Sequence, residues 1–311
     1  MSAARPPAEL FAAATEGDRT AKARLLSLIE RGGEDAREVG RLAAPLAGDA
    51  YTIGLTGAPG AGKSTLTSAL ITHLRRQGEE VAVLAVDPSS PFTGGAILGD
   101  RVRMQDHATD PGVFIRSMAT RGHLGGLALA TPEAIRLLDA LGHRWILVET
   151  VGVGQVEVEV AGKADTTVVV VNPGWGDAVQ ANKADRAGLQ ETRRDLQQML
   201  ELSSETAERA DDGWQVPIVA TVSTSGEGVE ELWDAVCRHR QHAGESGELE
   251  RRRRFRRGEE LREILARRLE QRAREAVGEA QWASLAERVG AGDADPWTAA
   301  YEMLGGTDAG A

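Results

Sequence analysis

Short apolar runs alternate with amphipathic stretches through the middle of the chain. The runs are rich in Val, Ile and Leu, which is the pattern of buried strands separated by helices. They are Tyr51–Thr56, Val81–Val86, Val113–Arg116, Trp145–Thr150, Thr166–Val171 and Val216–Val222. Because the runs are continuously apolar rather than alternating, they indicate a parallel sheet covered on both faces. We therefore predict an α/β fold with a doubly wound, mostly parallel sheet.

Both ends of the chain have helical periodicity instead. Apolar residues recur at helical spacing before the first run, at Leu25, Leu26 and Ile29, and after the last, at Leu261, Ile264, Leu265 and Leu269. The arginine run 251–257 is typical of a solvated helix face that acids one turn away neutralise. We predict a helical extension over 1–47, an α/β domain over 48–242 and a C-terminal helical arm over 243–311.

Composition limits the class of partner. The net charge of the 311 residues is −11, which argues against a general nucleic-acid binder because such proteins need basic surface. The single cysteine, Cys237, cannot form an internal disulfide, which favours a reducing compartment. The first residues do not form a secretory leader, and no apolar run approaches the ~20 residues that span a bilayer. We expect a cytoplasmic protein with neither nucleic acid nor membrane as partner.

The first apolar run leads into a phosphate-binding motif, G-x-x-x-x-G-K-[ST], which stands between a predicted strand and a predicted helix, Lys63–Arg76. Its residues are Gly57, Ala58, Pro59, Gly60, Ala61, Gly62, Lys63, Ser64 and Thr65. The glycines let backbone N–H groups turn toward phosphate oxygens, and the helix N-terminus adds a positive dipole. Lys63 would reach the β- and γ-phosphates, and the Ser64 hydroxyl would bind Mg²⁺. The motif makes the fold one of P-loop NTPase type.

Acidic residues at strand ends extend this site. Asp87 and Glu149 end two of the apolar runs, and Asp100 lies in a glycine-rich stretch. A lone acid at a strand end is often a helix cap. Hydrolysis, however, requires a metal beside the β- and γ-phosphates, so we predict a Mg²⁺ site formed by Ser64, Asp87, Asp100 and Glu149. Gln155 follows two glycines after Glu149 and is a candidate for orienting water, which makes Lys63, Glu149 and Gln155 the predicted catalytic residues.

The base is predicted to be guanine. Asn182, Lys183 and Asp185 form the motif N-K-x-D, in which the carboxylate accepts hydrogen bonds from guanine that adenine cannot donate. A four-letter motif is weak alone, but it gains weight downstream of a phosphate loop. Ser223, Thr224 and Ser225 follow the last apolar run, where G proteins place a loop that contacts the guanine oxygen. GTP and GDP are therefore the expected ligands.

These residues resemble those of one family, the P-loop GTPases that act as chaperones of methylmalonyl-CoA mutase, once described as arginine/ornithine (LAO/AO) transport ATPases. The resemblance spans nearly the whole chain and is most specific in residues 57–65, 86–91, 99–104 and 148–155. It implies slow GTP hydrolysis coupled to an adenosylcobalamin-dependent acyl-CoA mutase, with gated cofactor loading, protection of the enzyme and release of damaged cofactor. It also implies a homodimer built partly through C-terminal helices.

One spacing departs from that family. A helix and a further strand precede the guanine motif in the family, whereas only the ten residues 172–181 separate Val171 from Asn182 here. We therefore expect a sheet that lacks one interior strand and a guanine motif presented by a loop. Three alternatives to the chaperone stay open at this point: a small-molecule kinase, a nickel-delivering GTPase and a binding scaffold without turnover.

Overall fold

A computed structural model describes residues 5–87, 105–107, 109–119, 126–150, 162–172, 188–206 and 213–303. Five strands form its sheet: β1 (Tyr51–Gly57), β2 (Val81–Asp87), β3 (Val113–Ala119), β4 (Trp145–Thr150) and β5 (Thr166–Val170). Their spatial order is β3-β2-β4-β1-β5, and every neighbouring pair is parallel. The structure thus confirms the doubly wound parallel sheet and five of the six predicted strands.

Ten helices are described. They are α1 (Pro7–Thr15), α2 (Arg19–Arg31), α3 (Gly33–Ala43), α4 (Lys63–Arg76), α5 (Gly126–Ala140), α6 (Leu189–Thr206), α7 (Val229–Glu245), α8 (Glu248–Val277), α9 (Glu279–Ala291) and α10 (Pro296–Met303). Short 3₁₀ turns occupy Ala44–Leu46 and Gln105–His107. None of the helices in the described residues combines the length and the apolar character needed to cross a bilayer.

Two apolar layers cover the sheet, one on each face. Alternate residues of β2 enter different layers, with Ala82, Leu84 and Val86 in one and Val81 and Val83 in the other. Helices α1, α2, α3 and α5 complete the first layer, and helices α4 and α7 complete the second. Both faces of the three inner strands β1, β2 and β4 are buried, which is why the sequence shows them as apolar runs without alternation.

The predicted strand Val216–Val222 is wrong. Residues 213–220 have no regular secondary structure, and Val222 makes only an isolated antiparallel bridge to Glu227. Val219 and Thr221 are nevertheless buried, and Val219 packs into the layer formed by α4 and α7. Burial in this segment is limited to these two residues, and Val216 is 47% exposed. Within the described residues, β5 is the last strand at this edge of the sheet.

The arginine run has two environments. Arg251 and Arg252 pair with Glu248 at exposed positions one turn away, as predicted. The prediction is wrong for Arg253, whose guanidinium is half-buried and binds both oxygens of Asp165, at 3.0 and 2.6 Å. Asp165 also accepts a hydrogen bond from the Thr52 backbone N–H. Arg253 therefore holds the first turns of α8 at the amino ends of β1 and β5.

The chain divides into two compact units, residues 1–254 and 255–311. The second unit contains most of α8 together with α9 and α10. Within it, Leu285 and Ala299 are buried, and Arg288 pairs with Glu302 at 2.9 Å. The finer division into regions 1–47, 48–242 and 243–311 stays a prediction.

Candidate functional site

The phosphate loop lies between the carboxyl end of β1 and the first turn of α4, as its motif requires. Gly57 is the last residue of β1 and pairs with Val170 of β5. Its φ is +142°, and a Cβ added there would lie 2.0 Å from the Val170 carbonyl oxygen. Gly60 and Gly62 have φ of +75° and +98°. Only glycine adopts such conformations at low cost, so the three glycines determine the path of the loop.

The side chain of Lys63 folds back over this loop. It is 7% exposed, and its Nζ donates hydrogen bonds to the carbonyl oxygens of Gly57, at 2.5 Å, and Ala58, at 3.4 Å. Phosphate oxygens carry full negative charge and accept stronger hydrogen bonds from an ammonium than carbonyl oxygens do. The two contacts therefore hold the Lys63 ammonium at the loop, where phosphate oxygens of a bound triphosphate can replace the carbonyl oxygens as its partners.

Ser64 and Glu149 meet beside the loop, although 85 residues separate them in sequence. The Ser64 Oγ donates a hydrogen bond to Glu149 Oε1 at 2.5 Å. Glu149 is fully buried on β4, where its backbone lies between Leu55 of β1 and Ala85 of β2. A hydroxyl and a carboxylate are the oxygen ligands that Mg²⁺ prefers, and Mg²⁺ at nucleotides is held by few protein groups plus phosphates. The donor set at this point thus fits Mg²⁺.

The ends of β2 and β4 lie at the same edge. Asp87 is the last residue of β2, and its predecessor Val86 pairs with Thr150 at the end of β4. The Thr150 Oγ1 donates to the Leu55 carbonyl oxygen at 3.2 Å, which ties the end of β4 to the strand that carries the loop. The backbone therefore places Asp87 at the carboxyl edge where nucleotides bind in doubly wound sheets.

Ser223, Thr224 and Ser225 form a tight turn directly before α7. The Ser225 and Gly226 N–H groups donate to the Val222 carbonyl oxygen, at 3.1 and 3.0 Å, and the Ser225 Oγ donates to the same oxygen at 3.1 Å. Three hydrogen bonds to one carbonyl oxygen therefore close the turn. This agrees with a loop that presents backbone groups to a base, but the guanine contact itself stays a prediction.

Five predicted site residues lie outside the described residues: Asp100, Gln155, Asn182, Lys183 and Asp185. Their roles as metal ligand, water-orienting group and guanine-selecting motif stay predictions. Those roles depend on the resemblance and on the motifs in the sequence.

Sequence reasoning missed one residue at the loop, Asn172. Its Nδ2 donates to the Gly60 carbonyl oxygen at 3.2 Å. The available signal was a polar amide directly after the apolar run that forms β5. In the sequence, Asn172 is only one of the ten residues between Val171 and the guanine motif.

Comparison with known proteins gives a consistent result. The sequence profile of the family described as Methylmalonyl Co-A mutase-associated GTPase MeaB matches residues 22–278. A protein of Pyrococcus abyssi named "Putative GTPase" is 47% identical over 316 residues, covering 96% of this chain and 97% of that protein. The Mus musculus protein named "Methylmalonic aciduria type A homolog, mitochondrial" is 37% identical over 212 residues, covering 64% of this chain and 51% of that protein.

A solved structure has the same fold. It is described as the crystal structure of LAO/AO transport system kinase and has a TM-score of 0.70 and 24% sequence identity. The match covers 96% of this chain and 96% of that chain. The alignment with the Pyrococcus protein spans 316 positions, which is more than the 311 residues of this chain. The Pyrococcus protein therefore has residues that have no counterpart in this chain. The sequence predicts such a loss between Val171 and Asn182, a segment described only as far as Asn172.

Proposed function

Since the chain belongs to the methylmalonyl-CoA mutase-associated GTPase family MeaB and is a P-loop GTPase, we propose that it is a chaperone of an adenosylcobalamin-dependent acyl-CoA mutase. Binding and hydrolysis of GTP gate cofactor loading, protect the mutase and allow damaged cofactor to leave. Methylmalonyl-CoA mutase is the client that the family description and the name of the Mus musculus relative favour.

The contact between Ser64 and Glu149 carries the nucleotide part of this proposal. A serine at the first turn of the P-loop helix and a buried carboxylate at the neighbouring strand end form a site for Mg²⁺ beside the β- and γ-phosphates. Bound Mg²⁺ would supply positive charge that stabilises the phosphoryl group during transfer. Asp87 and Asp100 complete the proposed set of metal ligands.

The remaining roles follow the motifs. The amides of residues 57–65 and the ammonium of Lys63 hold the phosphates, and Gln155 orients the attacking water. Asn182, Lys183 and Asp185, with the turn Ser223–Ser225, select guanine. The glycines that follow Glu149 in the sequence are the proposed sensor of the γ-phosphate, and a change in them on hydrolysis would transmit the state of the nucleotide to a partner.

The proposed assembly is a cytoplasmic homodimer that binds neither nucleic acid nor membrane. The net charge of −11 supports the absence of a nucleic-acid partner, and the single Cys237 supports a reducing compartment. The C-terminal arm is the proposed dimer element, because α8 exposes large apolar side chains.

The test is recovery of the mutase from an extract of the native host by the tagged, full-length protein. We expect more of a cobalamin-dependent mutase with a non-hydrolysable GTP analogue than with GDP. Lys63→Ala should remove this nucleotide dependence and reduce kcat/KM for GTP by at least about 100-fold, because a preorganised donor to the phosphates is lost. Arg76→Ala is the matched control, since Arg76 is exposed on the same helix.

The possible outcomes separate the two parts of the proposal. If no cobalamin-dependent enzyme is recovered with either nucleotide, the chaperone role is contradicted, but the assignment as a GTPase is not affected. A Lys63→Ala variant that binds and hydrolyses GTP like the original protein contradicts the assignment of the phosphate loop.

A further inference from the structure

Asn172 is brought to the phosphate loop by the pairing of β5 with β1. Gly57, at the start of the loop, is in register with Val170, and the close approach of the two backbones leaves no room for a Cβ at Gly57. Asn172 stands two residues beyond Val170. Its position beside the loop is therefore fixed by the sheet and not by a flexible connection.

The contact has a defined direction. Gly60 contributes a carbonyl oxygen, which can only accept, so the Asn172 amide must present its NH₂ group, and the distance from Nδ2 to that oxygen is 3.2 Å. The other end of the amide, Oδ1, is buried and has no hydrogen-bond partner within the described residues. Among the described residues, the Gly60 carbonyl oxygen is thus the hydrogen-bond partner of the Asn172 side chain.

Fixing this carbonyl fixes the next amide. In a trans peptide the C=O of Gly60 and the N–H of Ala61 point in opposite directions, and the described residues contain no cis peptide bond. The Ala61 N–H donates to the Ala58 carbonyl oxygen at 3.1 Å, which closes a turn over 58–61. The Gly60–Ala61 peptide is therefore held at both ends, by Asn172 at its C=O group and by the Ala58 carbonyl at its N–H group.

We propose that Asn172 is a positioning residue of the phosphate loop, which orders the Gly60–Ala61 peptide before a guanine nucleotide binds. The proposal rests on the assignment of residues 57–65 as the nucleotide site. Order present before binding lowers the entropic cost of binding, so the effect appears in affinity and not in the chemical step. The loop amides contact phosphates that GDP and GTP share, so both nucleotides are affected alike.

The experiment compares Asn172→Ala and Asn172→Asp with the original full-length protein. Asn172→Ala removes one hydrogen bond, and the usual net contribution of such a bond predicts that the affinities for GDP and for GTP fall by the same factor, about 2- to 10-fold. The KM for GTP should rise while kcat stays unchanged. Asn172→Asp keeps the shape but replaces the donor by a charged acceptor that faces a carbonyl and phosphates. It should weaken binding further. Gln77→Ala, which removes an exposed amide at the end of α4, is the matched control.

A second measurement needs no nucleotide. Hydrogen exchange of the loop peptide in the free protein should be faster in Asn172→Ala than in the original and unchanged in Gln77→Ala. Unchanged affinity in both Asn172 variants, or a fall in kcat with KM unaltered, overturns the positioning role. If affinity falls only together with a lowered thermal midpoint and faster exchange throughout the sheet, the residue is structural and the proposal is likewise overturned. Loss of the site assignment itself would be seen separately, as a Lys63→Ala variant with unchanged binding.

Discussion

Gly228 and Gly78 have nearly the same backbone conformation, with φ of +75° and +80°, but different surroundings. A Cβ on Gly228 would lie 2.0 Å from the Ala220 carbonyl oxygen, whereas a Cβ on Gly78 would meet nothing within 4 Å. The close contact arises because the turn that contains Ser223–Ser225 doubles back on residue 220 before α7 begins. Gly228 thus determines the shape of the proposed guanine loop.

Alanine at these two glycines separates conformational strain from steric overlap. Gly78→Ala should lower the free energy of unfolding by about 1 kcal/mol, the cost of a left-handed conformation for an L-residue. Gly228→Ala should lower it by at least about 1 kcal/mol more, because backbone must also move. Urea unfolding followed by circular dichroism measures both. Equal losses would show that the turn adjusts freely and that the close approach does not constrain it.

Helix α2 is joined to the rest of the first unit by polar contacts that the sequence did not reveal. Lys22 Nζ lies 2.6 Å from His143 Nε2, and both residues are buried. Arg116 of β3 pairs with Glu30 at 2.7 Å. Because Lys22 donates to an imidazole nitrogen, His143 must be neutral. Burial, and then the charges of Lys22 and Arg19, lower the pKa of His143 from 6.5 to about 4.

The lowered pKa predicts acid sensitivity. Between about pH 6.5 and about pH 4 the unfolded chain protonates this imidazole and the folded protein does not, so the free energy of unfolding falls as the pH falls. A pKa difference of this size gives a loss of about 2 kcal/mol at about pH 5. In His143→Gln this component should disappear. Urea unfolding of both proteins at about pH 7 and about pH 5 measures the difference, and an equal pH dependence in the two would contradict the prediction.

At the scale of the whole molecule, the C-terminal arm carries an apolar stripe on α8. Leu261, Leu265 and Leu269 are spaced four residues apart, lie on one face of the helix and are 65%, 55% and 55% exposed. Within the described residues, none on α8 is buried. A stripe of this kind on a 30-residue helix is typical of a surface that packs against another helix. A second copy of the chain is the partner that we propose for it.

Serine at all three leucines tests the dimer. Because the leucines are exposed, the triple variant should keep its fold and GTPase activity while its dimer dissociates at protein concentrations at least about 10-fold higher than the original. Light scattering after size-exclusion chromatography measures the mass. The control replaces Arg267 and Glu270 by serine, since both are exposed on the other side of α8. A monomeric original protein, or a triple variant with unchanged dimerisation, would contradict the proposal.

The sequence alone determined the five strands of the sheet, though not their order, and the position of the phosphate loop. Both depend on neighbours in the chain: a buried strand is a continuous apolar run, and the loop motif requires glycines and a lysine at fixed spacing between a strand and a helix. The strand-end acids are predicted for the same reason, since the end of an apolar run marks the edge of the sheet where ligands bind. The profile of the MeaB family matches residues 22–278, a range that includes these segments.

Only the tertiary structure decided which distant residues meet. The sequence had already placed Ser64 and Glu149 in one site, but not the contacts of Asn172 with Gly60 and of Lys22 with His143. These span 112 and 121 residues of sequence, and the order of the strands and the docking of α2 bring the two pairs together. The segment 216–222 is a second case in which the sequence pattern did not decide the structure. Its apolar pattern predicted a buried strand, but only Val219 and Thr221 are buried and residues 213–220 form no strand, since strand formation depends on packing and pairing with the rest of the sheet and not on the segment itself.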